Sequence, residues 1–360
     1  MTGGITDVAA RLGIVLADRY RIERQLGHRV PRFKMNHLIV LVVAAASLVA
    51  APDAAGLEIL RREFWPNVVV ANDIDVIRST PGPRTSDSTD IVILGHGTFG
   101  MPPGGSGTST AITVGGRLFV FDAGEGAVHQ MAEAGLRFTR IEAIFITTLR
   151  DDHVLGLPAL LVTPRANGRA SPVAVFGPAG TRETATRMWA AFESSRKETA
   201  AAAPPGTRAS TRTVIDTGAY ATDIKPGIVF DSAGVRVTAF LVNHGASTNS
   251  YGYRIDTPGR SIAISGDARP SENLAKAAMG VDVLIHNAYA LAKVNDTAFF
   301  ASSLSSAEEA GAMAARTKPR LLILTHILPN GRATDAELIA GVRKGGFIGP
   351  VVVGRDLEHY

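Results

Sequence analysis

Five residues of this chain carry side chains that bind cations or move protons, and they share one placement. Asp152, His153, His244, Asp267 and His326 each follow a short apolar run that reads as a β-strand: Ile141–Thr147, Val235–Val242, Ser261–Ser265 and Leu321–Leu324. Strand ends hold side chains rigidly at one rim, so ligands from distant parts of a chain can converge there. Imidazole and carboxylate suit zinc, iron or manganese, and an ion bound by them lowers the pKa of a water to about 7. Any single histidine is more often a core or surface residue than a ligand. A common position for all five is harder to explain that way.

The densest part of the pattern is ITTLRDDHVLGLP, Ile146 to Pro158, where Asp152-His153 is followed by what reads as a small apolar turn. A two-metal site would want further histidines just upstream, and Thr148 and Arg150 stand there instead. A guanidinium stays charged and cannot ligate a cation. Two readings of Arg150 are open: a fixed positive charge that clamps a substrate oxyanion, or a partner of Asp151 or Asp267 that closes the pocket. The chain has no cysteine, which excludes disulfides, thiolate zinc sites and cysteine nucleophiles and leaves the redox compartment open.

The elements that must position these residues alternate in type. Ile91–Leu94 is a strand running into the tight turn Gly95-His96-Gly97-Thr98, and the segment PPGGSGTS after it is a loop. TAITV, Gly115-Gly116 and RLFVF read as a hairpin with a two-residue turn. Gly124–Leu136 and Arg182–Ala203 have helical character, with PPGTRAS after the second as a linker or lid base. Val173–Phe176, Ser250–Ile255 and Val281–His286 are further strands. Ser306–Thr317 is an alanine-rich helix with a serine cap and Glu308 and Glu309 in its first turn. Strands and helices mixed in this order predict an α/β sandwich of sheets covered by helices. With 46% hydrophobic and 19% charged residues, the 360-residue chain can bury the core that such a fold needs.

These motifs, in this order, resemble the metallo-β-lactamase fold superfamily, in its ribonuclease Z and arylsulfatase-like branch. The resemblance rests on Leu94-Gly95-His96-Gly97, Phe121-Asp122-Ala123-Gly124-Glu125-Gly126, Gly156-Leu157-Pro158, Tyr251-Gly252-Tyr253-Arg254-Ile255, Ser265-Gly266-Asp267, Leu284-Ile285-His286 and Leu324-Thr325-His326, and covers about residues 90 to 357. It implies a four-layer αββα sandwich. The family signature Thr-His-x-His-x-Asp-His reads here as Thr147-Thr148-Leu149-Arg150-Asp151-Asp152-His153. By this resemblance Asp152, His153, Asp267 and His326 form one complete metal site. The other site keeps only His244 and a share of Asp267. The implied cofactor is one Zn2+, or Mn2+ or Fe2+ in its place.

Two departures from the family weaken catalysis. Asn287 follows His286 where the family often has an acid, and Ser303-Leu304 stands where it commonly has a proton-donating histidine. General-acid help is worth about 100- to 10,000-fold, so a slow enzyme is expected. His96, in place of the family threonine, is close in sequence to the rim. The function expected from the resemblance is a metal-dependent hydrolase whose activated water attacks an ester, phosphodiester, sulfate ester or lactam, with Asp152, Arg150 and His244 as catalytic residues. The alternative is a catalytically impaired pseudoenzyme that binds a ligand or partner through the old cleft.

Charge and the leader bear on partners. Residues 1–34 hold seven of the 37 basic residues and three of the 33 acidic ones, which leaves thirty of each in the body. A body without basic excess argues against a polyanion partner. No basic Gly/Pro-rich arm is visible either, so tRNA processing is not expected. Leu38–Ala51 is a 14-residue apolar run after Arg29, Arg32 and Lys34, with small residues after it. It is short of the ~20 residues that a membrane span needs and reads as a signal peptide; a buried helix is the other reading. Residues 1–34 are an unassigned leader, expected to be an upstream mis-start or a gene-fusion remnant, with Met35 as another start. Its segment LADRYRIERQLGHRV resembles the opening strand of bacterial serine/threonine kinases but lacks their glycine-rich loop, and implies no kinase activity. The signal-like segment is 35–56, and the folded domain is expected over 57–360. The chain is expected to be secreted or periplasmic, without a stable membrane span, acting on a small-molecule substrate, with a homodimer open.

Overall fold

The computed structural model describes residues 88–98, 105–169, 171–202, 220–291, 298–328 and 333–360. The leader, the signal-like segment, the boundary expected near Leu57 and the PPGTRAS segment all lie outside the described residues, as does part of the PPGGSGTS loop.

The elements follow as β1 (Thr89–Gly95), β2 (Ser109–Val114), β3 (Arg117–Phe121), α1 (Ala127–Glu133), β4 (Ile141–Phe145), α2 (Asp151–Val154), α3 (Leu157–Ala166), β5 (Ala174–Gly177), α4 (Thr181–Ala190), α5 (Glu193–Ala201) and β6 (Tyr220–Asp223). A second series follows: β7 (Gly227–Ser232), β8 (Val235–Leu241), β9 (Tyr251–Asp256), β10 (Ser261–Ile264), α6 (Glu272–Ala278), β11 (Val283–Asn287), α7 (Ala298–Ser303), α8 (Ala307–Thr317), β12 (Leu321–Thr325), α9 (Asp335–Lys344) and β13 (Val351–Val353). The first series makes a sheet in the order β1-β2-β3-β4-β5-β6, and the second makes one in the order β13-β12-β11-β10-β9-β8-β7. β3 to β6 of one sheet and β10 to β13 of the other run parallel, while β8 pairs antiparallel on both sides.

Strands that read as unbroken apolar runs do so because both faces are covered. In β1, Ile91 and Ile93 enter the core between the sheets, while Val92 and Leu94 enter the core under the helices. The inter-sheet core stacks Phe121 on Phe145, ring centroids 4.9 Å apart, against Tyr253 of the other sheet. Met131, Leu157, Leu160 and Trp189 cover the outside of the first sheet, and Leu274, Met313 and Leu338 cover the second. The layers are therefore helix, sheet, sheet, helix, as the family resemblance implies.

Local chemistry explains the element ends. Gly115 and Gly116 both take positive φ, 55° and 85°, which the β2–β3 hairpin requires of its two turn residues. Ser306 caps α8 and Glu309 answers from its third position, a reciprocal capping box. The helix expected over Arg182–Ala203 divides into α4 and α5. Gly156-Leu157-Pro158 opens α3 instead of forming a turn, with proline in the first helical turn where its missing N–H costs nothing. The C-terminal tail leaves β13 of one sheet and pairs along β1 of the other, Tyr360 N to Ile91 O at 2.9 Å and Leu357 N to Ile93 O at 2.7 Å. Among the described residues no helix is long and apolar enough to cross a membrane.

Candidate metal centre

The site is built where β3, β4, β8, β10 and β12 end. Asp122 leaves β3 with a positive φ of 59°, its N–H held by Phe145 O at 2.8 Å. Its carboxylate accepts from Thr147 N and Thr147 Oγ1, each at 2.8 Å at the nearer oxygen, and lies 2.9 Å from His153 Nδ1. A carboxylate on Nδ1 fixes the ring and presents Nε2 as the ligand atom. Asp122 thus orients His153, a role that motif reading assigned to no residue. Its signal was the Phe-Asp pair at a strand end, separated by one residue from a Gly-Glu-Gly.

Asp152 and His153 do not sit at the strand end itself. They lie on α2, a single turn of helix set against the Asp122 loop by close backbone contacts: Ala123 N to His153 O at 2.8 Å and Gly156 N to Ala123 O at 2.7 Å. The approach is tight enough to require glycine. A Cβ on Gly124 would fall 2.4 Å from the Gly107 carbonyl carbon and 2.8 Å from Asp152 O, and one on Gly156 would fall 2.2 Å from Gly124 O. From the other sheet, Tyr253 Oη donates to Ile146 O at 2.7 Å and Tyr251 N to Thr147 O at 2.8 Å, locking the end of β4 across the inter-sheet core.

All five sequence-predicted ligands meet here, and all are buried. One oxygen of each acid faces the imidazole pair. Asp267 Oδ1 lies 3.2 Å from both His153 Nε2 and His326 Nε2, and Asp152 Oδ2 lies 3.2 Å from His326 Nε2. The ligand atoms of Asp152, His153 and His326 all fall within 4.8 Å of one another, and Asp267 joins through the two imidazoles. The remaining oxygens face His244 and Arg150: Asp267 Oδ2 is 3.6 Å from His244 Nε2 and 3.7 Å from Arg150 Nε, and Asp152 Oδ1 is 3.5 Å from Arg150 Nε. His244 Nδ1 donates to Ser303 O at 2.9 Å, so its Nε2 is the atom turned to the cluster.

The electrostatics ask for positive charge. Burial works against both carboxylates, yet the hydrogen bond from His326 and the charge of His153 hold Asp152 down at about 2. His326 and His153 likewise outweigh burial at Asp267, which stays far below the usual carboxylate range. Burial disfavours a charged His153, but Asp267 and Asp122 win and hold it well above its ordinary value. A divalent ion held there would meet the same demand, with the imidazoles as neutral ligands.

Several neighbours depart from expectation. Arg150 pairs with Asp152 as well as Asp267. Thr148 is buried beside the site. Asn287, where an acid was looked for, is a bracket: its Oδ1 accepts from Ala268 N at 3.1 Å and steadies the turn that carries Asp267. Ser303 serves through its backbone carbonyl on His244, and Leu304 packs against Tyr289 and Ala290. His96 is held by Asp356, Nδ1 to Oδ1 2.5 Å, and its carbonyl accepts from Ile327 N, so it clasps the residue after His326.

The donor set fits a metal ion. Asp152 Oδ1, both oxygens of Asp267 and His153 Nε2 are buried and make no hydrogen bond, although such groups are costly to leave unsatisfied. Four N/O donors from Asp152, His153, Asp267 and His326 complete the set that a single zinc takes.

Fold and site together define an α/β sandwich with a candidate metal site at the ends of its strands. The chain belongs to the beta-lactamase superfamily, whose domain model matches residues 117–327, more than half of it. It is 28% identical over 286 residues to a ribonuclease Z from Mycobacterium marinum, covering 75% of this chain and 97% of that one. Among solved structures it resembles the metallo-beta-lactamase fold protein YhfI from Bacillus subtilis, with a TM-score of 0.59 and 13% identity over 76% of this chain and 99% of that one. Zn(2+)-bound PqqB from Methylobacterium extorquens gives 0.55 at 16% identity, over 75% and 99%.

Proposed function

We propose that the protein is a metal-dependent hydrolase working with one firmly bound ion, zinc or in its place manganese or iron. The observation that carries this reading is the convergence of buried donor atoms from Asp152, His153, Asp267 and His326, of which Asp152 Oδ1, His153 Nε2 and both Asp267 oxygens make no hydrogen bond. Bound there, a divalent ion supplies a Lewis acid and a water acidified to about 7. The chain's own residues do the rest. Asp122 fixes His153, and Asp267 spans both halves of the site with one oxygen in each. Asp152, ionised at neutral pH with Oδ1 buried and unbonded, accepts from and orients the attacking water. His244, on the far side of Asp267, faces the substrate half.

The substrate is an ester, phosphodiester, sulfate ester or lactam. The name ribonuclease Z carried by the relatives brings the phosphodiester to the front and tempers the expectation that nucleic acid is excluded. The scaffold alternative draws on Thr148, Arg150, Asn287 and Ser303, which stand where ligands or proton carriers were looked for.

Elemental analysis of the purified full chain after exchange with zinc tests the reading. About one ion per chain is expected, lost in His326→Ala while the circular dichroism of the fold is kept. A wild-type chain that holds no ion would sink the hydrolase and leave the scaffold.

A further inference from the structure

The two carboxylates divide their oxygens between two half-sites. Asp152 Oδ2 and Asp267 Oδ1 face the imidazoles of His153 and His326, whereas Asp152 Oδ1 and Asp267 Oδ2 face Arg150. The second half has three donors, the two oxygens and His244 Nε2. In reach of both oxygens, 3.5 and 3.7 Å away, lies the Nε of a guanidinium. We propose that Arg150 is the resident cation of this half-site, that it stands in the place of a second metal ion, and that it makes the half-site a receptor for an anionic oxygen of the substrate. The proposal rests on the one-ion hydrolase reading and narrows it to substrates already charged at the reacting group, phosphate or sulfate esters over neutral esters and lactams.

Charge supports it. The cluster holds three buried carboxylates, Asp122, Asp152 and Asp267. One divalent ion and one guanidinium balance them, with neutral imidazoles. A second divalent ion beside Arg150 would leave a buried excess of two positive charges, which a low-dielectric site resists. Geometry supports it too. Arg150 precedes α2 in extended conformation, φ −65° and ψ 150°, so the backbone that places Asp152 and His153 also aims its side chain at their carboxylate partners. The side chain keeps 30% of its surface exposed while the acids it touches keep 2% or less. It reaches from the buried cluster to the outside, the position from which a planar, five-donor guanidinium meets an incoming oxyanion. Thr148 beside it brings no charge and no strong ligand.

The test uses the full chain loaded with zinc and compares wild type, Arg150→Gln and Arg150→Lys for zinc content and for calorimetric binding of inorganic phosphate, sulfate and acetate. Expected are about one ion in all three proteins, phosphate and sulfate binding to wild type, a loss of about tenfold or more in Arg150→Gln, and an intermediate value in Arg150→Lys, which keeps the charge but not the fork. Preference among the three anions identifies which group the half-site takes. In a separate arm, Thr148→His combined with Arg150→His should raise the zinc content towards two. Two ions in wild type, or phosphate binding unchanged in Arg150→Gln, would overturn the proposal while leaving the hydrolase standing. No ion in wild type would instead overturn the hydrolase, and phosphate binding to the metal-free chain and its Gln variant would then judge the Arg150 subsite by itself. If Arg150→Gln does not fold, the Lys variant and the double histidine variant still decide it.

Discussion

At the scale of single residues, the centre depends on groups that do not themselves belong to the ligand set. Asp122 touches no substrate half-site, yet it holds Thr147 and His153 together and fixes which imidazole nitrogen faces the cluster. Partners of this kind are worth about 10- to 100-fold in metal affinity. Asp122→Asn keeps the shape and removes the charge, so its zinc affinity should fall by about that factor. Competition with a chromogenic chelator measures the loss, and an unchanged affinity would remove Asp122 from the account. His244 is positioned in the same indirect manner, by the Ser303 carbonyl.

At the scale of elements, the site exists because loops approach more closely than side chains allow. Gly107, Gly124 and Gly156 bring the β1–β2 connection, the β3 exit and the start of α3 into backbone contact beneath Asp152 and His153. Gly124→Ala would drive a Cβ into the Gly107 carbonyl and against Asp152 O. Overpacking of this sort costs about 1–3 kcal/mol, and here the displaced backbone carries two ligands. A lowered denaturant midpoint together with reduced zinc content is expected. A variant as stable and as well loaded as wild type would show that α2 is positioned by something else.

At the scale of the whole molecule, the two sheets share one core and are strapped by the tail that leaves β13 and pairs with β1. One source of acid sensitivity belongs to this level, His286 in β11, between β10 and β12 inside the second sheet. Burial pushes its imidazole down to about 4, against a smaller opposing pull from Asn287. The unfolded chain therefore takes up a proton on His286 near 6.5 and the folded chain only near 4. Stability from this group is complete above 6.5 and is lost as pH falls from there towards 4, a loss of roughly 3 kcal/mol at about 1.4 kcal/mol per pH unit. Denaturant melts of wild type and His286→Leu at pH 7 and pH 4.5 isolate the effect. The difference between the two proteins should shrink or change sign at the lower pH, and parallel curves would count against it.

The sequence by itself determined the strands, because β1, β4, β10 and β12 are buried on both faces and must be apolar throughout. It also singled out Asp152, His153, His244, Asp267 and His326, because they follow such strands, and the fold brings the five together. It did not reveal α3, α6, α7 and α9 or β6, β7 and β13, nor that Asp152-His153 rides on a helical turn: periodicity is weak over so few residues, and the turn is held by backbone contacts with Ala123 rather than by its own composition. Only the tertiary structure decided the partners of the ambiguous residues. Arg150, for which Asp151 and Asp267 were both open, meets Asp267 and also Asp152; Asn287 looked like a lost acid and is a bracket for the Asp267 turn. Residue type fixes what a side chain can do, but its partner comes from a strand or loop up to some two hundred residues away, as with His326 and Asp152, |i−j| = 174. That proximity is set by the packing of the two sheets and by no local pattern.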